Sequence, residues 1–140
     1  MWILPDAAPG APVLEVADVA EELAAGDPVV LAGPGGRVGS GHTDALLTAV
    51  RLVPGTVHRS AAAHWVHATV SRGSVRVREA VVVRDDEPGD GVPGERGAGE
   101  GAACTGDVLE AQAAAVVVEA GDGGAEVLVW EMGDGSAPSW

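Results

Sequence analysis

The residues best equipped for chemistry in this chain are its histidines. His58, His64 and His67 fall within ten residues, and His42 stands further upstream. Neutral imidazole is a common ligand for transition metals, so three such side chains close together raise the question of a metal centre. Their spacing argues against one. His64 and His67 are three apart in a Val- and Ala-rich segment that reads as a strand. Side chains alternate along a strand, so an odd separation turns the two rings to opposite faces. No carboxylate follows closely, the next acid after His67 being Glu79. The histidines are therefore read first as exposed or packed side chains, and His58, His64 and His67 as metal ligands only in the alternative.

Other motifs reduce to plain structural readings. The stretch GPGGRVGSG (33–41) has the glycines of a phosphate-binding loop but lacks its Lys-Ser/Thr pair, so it reads as a turn. Cys104 sits in AACTGD, with no base or cation beside it to lower its pKa, and reads as a small buried hydrophobe. Asp107 and Glu110 read as surface carboxylates. The segment 85–100 holds six acids, five glycines and two prolines without the ordered D-x-D-x-D-G of a calcium loop. It buries too little apolar surface to offset its ordering entropy and is expected to be a flexible, solvated loop.

The elements that must position these residues are mostly strands. Residues 2–4 read as a short strand closed by Pro5-Asp6, and 15–27 as one short helix ending at Gly26. Strands are expected at 27–33, within 42–55 up to the Pro54-Gly55 turn, within 56–73 up to Arg72-Gly73, and at 74–83. In the last of these Val75 and Val77 alternate with Arg76 and Arg78, which gives one wet face. Further strands are expected within 101–120, with a tight turn at GDGG (121–124). The final strand, 125–132, has Glu126, Leu128 and Trp130 on one face and Val127, Val129 and Glu131 on the other. Short strands at regular intervals with glycine-rich turns point to an antiparallel sandwich or barrel, jelly-roll or cupin-type.

Composition narrows the partners. The chain has 140 residues, 46 % of them apolar, but neither Phe nor Tyr; Val, Ala and Leu must fill its core beside four tryptophans. A net charge of −13, with no Lys at all, opposes binding to phosphate backbones and anionic lipid. No nucleic acid and no membrane is therefore expected. A single cysteine allows no internal disulfide and fits a reducing compartment. With neither a signal-peptide pattern nor a membrane-length apolar run in view, a cytoplasmic location is expected.

Three stretches taken together resemble a known family. MWILPD, GTVHRSAAAHWVHATVSRGSVRV, and GAACTGDVLEA with AEVLVWEM are similar to the C-terminal cupin domain of pirin-related bicupins, the group that includes bacterial quercetinases. The likeness runs over about residues 1–132. It implies an all-β fold, a single antiparallel cupin-type β-barrel with at most one short helix. Residues 1–14 would be an interdomain-type strand and connector, 15–132 the barrel, and 133–140 a tail. In the resembled proteins the metal-binding histidines and glutamate belong to the N-terminal domain. The pattern here agrees with a half that lacks them: the pair is His64-x-x-His67 rather than His-x-His, no Glu follows it closely, and no His occurs after residue 67.

The function expected is thus a non-catalytic, metal-free cupin half with a structural or ligand-shaping role, with no cofactor and no catalytic residue. Two alternatives stand beside it. One is a small dioxygenase-like metalloenzyme using a transition metal on His58, His64 and His67. The other is a module that binds a flavonoid-like small molecule in the barrel interior, with Trp65 and Trp130 as lining residues. Trp2 and Ile3 are the candidates for an interface, either with a second copy in a homodimer or with a separate N-terminal cupin half.

Overall fold

The computed structural model describes residues 15–39, 44–83 and 101–133, and for Val81–Val83 the backbone alone. The expected strand at 2–4, the interface candidates Trp2 and Ile3, His42, the acidic loop 85–100 and the tail beyond Gly133 lie outside the described residues.

Among the described residues one short helix and eight antiparallel strands follow in order: α1 (Ala20–Ala25), β1 (Val29–Ala32), β2 (Ala45–Leu52), β3 (Val57–Arg59), β4 (Ala63–Glu79), β5 (Val81–Val83), β6 (Gly101–Cys104), β7 (Val108–Ala114) and β8 (Val117–Met132). This is the all-β, antiparallel class with a single short helix that the residue pattern predicts. Helix α1 is shorter than the expected 15–27. The Asp18 carboxylate accepts the Ala20 N–H (3.0 Å) just before its first turn, and Gly26, at φ +88°, closes it.

Two long strands organise the barrel. The first half of β4 pairs with β7 on one side and with the second half of β8 on the other, and β8 in turn pairs with β2. With β1 and β5 at the two edges these make the first sheet, ordered β1-β2-β8-β4-β7-β5. The remaining halves of β4 and β8 continue together into a second sheet, flanked by β6 and β3. The main core fills the space between the sheets: Val66, Ala68, Val70, Leu109, Val127 and Val129 come from the first, Val75, Val77, Val116 and Val118 from the second.

Both long strands must keep an apolar side turned inward while passing from one sheet to the other. They do so by changing parity. In β4 the inward residues are even-numbered through Val70 and odd-numbered from Val75; in β8 they are even through Ala120 and odd from Ala125. Irregular pairing between Val70 and Val75 supplies the shift, which is what bulges do to a strand. Gly73 (φ +78°) and Gly124 (φ +75°) meet at this corner, so closely that a Cβ on Gly73 would lie 2.2 Å from the Gly124 carbonyl oxygen. Two expectations are corrected here. GDGG is not a tight turn between strands and Arg72-Gly73 does not end a strand; each is the bend within a strand that runs on. Isolated glycines and turns carry the same local signal, and only the pairing partner distinguishes them.

The second, smaller apolar cluster lies on the outer side of the first sheet. Leu23 of α1 packs there with Val29 and Ala49, joined by Val19, Leu31 and Leu128.

Candidate functional site

Polar groups reach the interior-facing side at the end of the first sheet where β2 and β4 begin and β8 finishes. Its last inward-facing row is Leu46, Glu131, Val66 and Ala111, set by the pairs Leu46↔Glu131, Val66↔Glu131 and Val66↔Ala111. Glu131 therefore shares a face with the aliphatic core residues Val127 and Val129. Its carboxylate is held by backbone: Oε1 accepts the Ala61 N–H at 2.7 Å.

That N–H is positioned by Ser60, the one buried polar side chain among the described residues. Its Oγ accepts the Val116 N–H (2.9 Å) and donates to the Ala61 carbonyl (2.9 Å), while its own N–H donates to the Val116 carbonyl (3.0 Å). Ser60 thereby pins the β3–β4 connection to the start of β8. A buried hydroxyl satisfied in this way is a fastening rather than a nucleophile.

His58 faces the same end from the second sheet. It pairs with Val118, a core residue, and so lies on the inward side of β3. Burial pulls its pKa below the usual histidine range, and the Glu131 carboxylate offsets this only in part. At neutral pH the ring is uncharged, so this end carries one carboxylate and one neutral imidazole. Such a pair can hydrogen-bond a polar group placed between them.

The other two described histidines are elsewhere. His64 is on the Val66 side of β4 near its start, between the paired residues Ala63 and Trp65, and is exposed, with its ring 5.9 Å from that of Trp65, edge to face. His67 is on the opposite side. Pairing from Ala63 to Thr69 is regular, so the three-residue separation does divide the two rings between faces. His67 lies cross-strand from Trp130 and places Nδ1 3.4 Å from Glu110 Oε1. The cluster of His58, His64 and His67 is thus not assembled, and among the described residues no three His, Cys, Asp or Glu side chains converge as metal ligands.

The tryptophans also require a correction. Trp65 and Trp130 share a face with His67, not with Val66 and Val129, so they face outward and do not line the interior. Trp65 is 44 % exposed. Alternation along 125–132 is legible in the sequence, but which side is inside depends on the second sheet. Cys104, expected to be buried, is exposed. It opens the turn into β7, where the Asp107 carboxylate accepts its backbone N–H (3.0 Å) and lies 3.6 Å from its sulfur. Glu131 was missed as a site residue although its signal was present: it is the only acid on the aliphatic face of 125–132.

No protein-family model matches the sequence, and no curated protein matches it. Solved structures do match in fold. The chain is similar to the DMSP lyase DddQ from Ruegeria pomeroyi, at 16 % identity and a TM-score of 0.51, over 80 % of this chain and 49 % of that one. It therefore spans about half the length of the lyase chain. It is also similar to a cupin superfamily protein from Desulfitobacterium hafniense, at 15 % identity and a TM-score of 0.44, over 66 % of this chain and 71 % of that one. Among the described residues no helix is long and apolar enough to cross a membrane. What this chain shares with the lyase is the fold alone, an antiparallel β-barrel.

Proposed function

We propose that this chain is a metal-free, non-catalytic cupin domain with a structural or ligand-shaping role, similar to the C-terminal half of pirin-related bicupins. One arrangement supports the reading: His67 lies on the opposite face of β4 from His64, no three His, Cys, Asp or Glu side chains converge among the described residues, and Val66, Ala68, Val70, Leu109, Val127 and Val129 fill the interior with aliphatic side chains. The expected partner is a second copy or a separate N-terminal cupin half. A reducing, cytoplasmic setting suits a chain whose one cysteine has no second thiol to pair with.

The test is the metal content of protein purified without an affinity tag. Fe, Ni, Mn and Zn are expected well below one per chain. Stoichiometric metal that disappears in a His58→Ala, His64→Ala double variant would overturn the reading.

The placement of Glu131 and His58 on inward faces favours a second reading, a small-molecule binding module. Glu131 and the neutral His58 face each other there with polar capacity to spare. Because Trp65 and Trp130 lie outside, the ring resonances of His58 are the reporter to follow in a flavonoid titration. Saturable shifts, lost in Glu131→Gln, are the expected result of that reading.

A further inference from the structure

Polar groups turned toward an aliphatic interior are normally matched by partners. Glu131 has one partner for two oxygens. Oε1 accepts the Ala61 N–H at 2.7 Å, and among the described residues no hydrogen bond reaches Oε2. Leu46, Val66 and Ala111 stand beside it in the same row. His58 is close enough to feel the charge of Glu131, and among the described residues nothing bonds its ring. Both side chains are only partly buried, so a solute can reach them. Asp44 stands on the same side: a Cβ on Gly133, two residues beyond Glu131, would lie 3.1 Å from Asp44 Oδ2.

The chemistry of these groups selects a ligand. Carboxylate oxygens only accept hydrogen bonds, and a neutral imidazole offers one lone pair and one N–H. An anion meets like charge from Glu131 and Asp44, on a chain that carries −13. A hydroxyl can donate, but it leaves the carboxylate charge uncompensated once the ligand displaces water. A quaternary ammonium brings charge without donors, and the rings that could cage it, Trp65 and Trp130, face outward. A metal ion finds too few ligands, since among the described residues no three His, Cys, Asp or Glu side chains converge. A primary ammonium satisfies every group at once. It gives charge-assisted N–H bonds to the carboxylate, a further N–H to the imidazole lone pair, and a carbon frame to the aliphatic row.

We infer that this end of the barrel binds a primary ammonium on a short apolar frame, with Glu131 Oε2 and the His58 ring as its acceptors and Leu46, Val66 and Ala111 against its carbons. The inference rests on the reading of these inward faces as a binding module and names the class of molecule bound.

The experiment is a titration of the untagged full chain near neutral pH with n-butylammonium, n-butanol, n-butyrate and tetramethylammonium at matched ionic strength. NMR signals of the His58 ring and the Ala61 amide report binding. Saturable shifts with n-butylammonium alone are expected. Glu131→Gln keeps an oxygen for the Ala61 N–H but loses the charge, and should weaken binding roughly 10-fold or more, the loss expected of a hydrogen bond to a charged group. Glu126→Gln removes the same charge from the outward face and should leave the affinity unchanged. An equal response to any of the other three solutes overturns the inference, as does binding indifferent to Glu131→Gln; the binding-module reading then stands without it. Silence toward n-butylammonium beside a saturating flavonoid titration has the same meaning. No response to any of these molecules removes both. If Glu131→Gln fails to fold, the four solutes on the wild type decide.

Discussion

The outer faces of the two sheets are built from the same two strands and could hardly be less alike. On the second sheet, β4 and β8 present Arg76, Arg78 and Glu119, and Arg59 pairs with Glu79 at 3.2 Å nearby. Glu119 accepts a hydrogen bond from Arg78 Nε at 3.1 Å, and that bond is the main reason its pKa is lowered. On the first sheet the same strands present Trp65, Trp130 and Met132. The first pattern is that of a face left in water, where cross-strand ion pairs supply local order. The second is apolar and largely without such pairs among the described residues. The contrast teaches that each long strand has two solvent relationships, exchanged at the glycine corner where parity shifts.

The strongest way to break the contrast is to disturb that corner. Gly73→Ala places a Cβ against the Gly124 carbonyl at a backbone geometry that disfavours side chains, and should cost about 3 kcal/mol in urea denaturation. A cost below about 1 kcal/mol would mean that the corner adjusts freely.

Next in size is pH, because the regions titrate in different windows. The folded pKa of His58 lies below the ordinary histidine value of 6.5, so the unfolded chain takes up this proton first. Its contribution to stability is complete above that value and is lost as pH falls from 6.5 through the folded pKa. Glu119 and Glu126 are lowered from 4.5, chiefly by hydrogen bonds from Arg78 and Arg51; their contribution is present above 4.5 and is lost as pH falls through their folded pKa values. Melting temperatures from pH 8 downward should therefore decline in two stages, and His58→Asn should remove the earlier one. A single decline confined to the carboxylate range in the wild type would contradict the placement of His58.

The smallest effect belongs to single charged pairs. Arg51 donates to Glu126 from Nη2 at 2.9 Å, beside the Ser71 hydroxyl, in an exposed setting. Arg51→Ala should cost roughly 0.2–1 kcal/mol, the range for exposed pairs. A loss of several kcal/mol would show that the pairs carry the fold rather than trim it.

Much of this was legible from residue order. The Val/Arg alternation of 74–78 forecast a wet face, and 125–132 separated Val127, Val129 and Glu131 from Leu128 and Trp130. The odd spacing of His64 and His67 forecast their separation across β4, which regular pairing with β7 preserves. GDGG misled because glycine admits both a turn and a bulge. Cys104 misled because its short apolar context resembles a core segment, whereas the position at the end of β6 opens to solvent.

Local alternation, then, established strands, their two-sidedness and the sets of side chains that travel together, because a period of two is a property of the backbone. Tertiary pairing alone chose which set faces inward. A strand carries two faces with equal local standing, and only a second layer excludes water from one of them. That choice put Glu131 and His58 on inward faces, left Trp65 and Trp130 outside, and made a corner of glycines that read as turns.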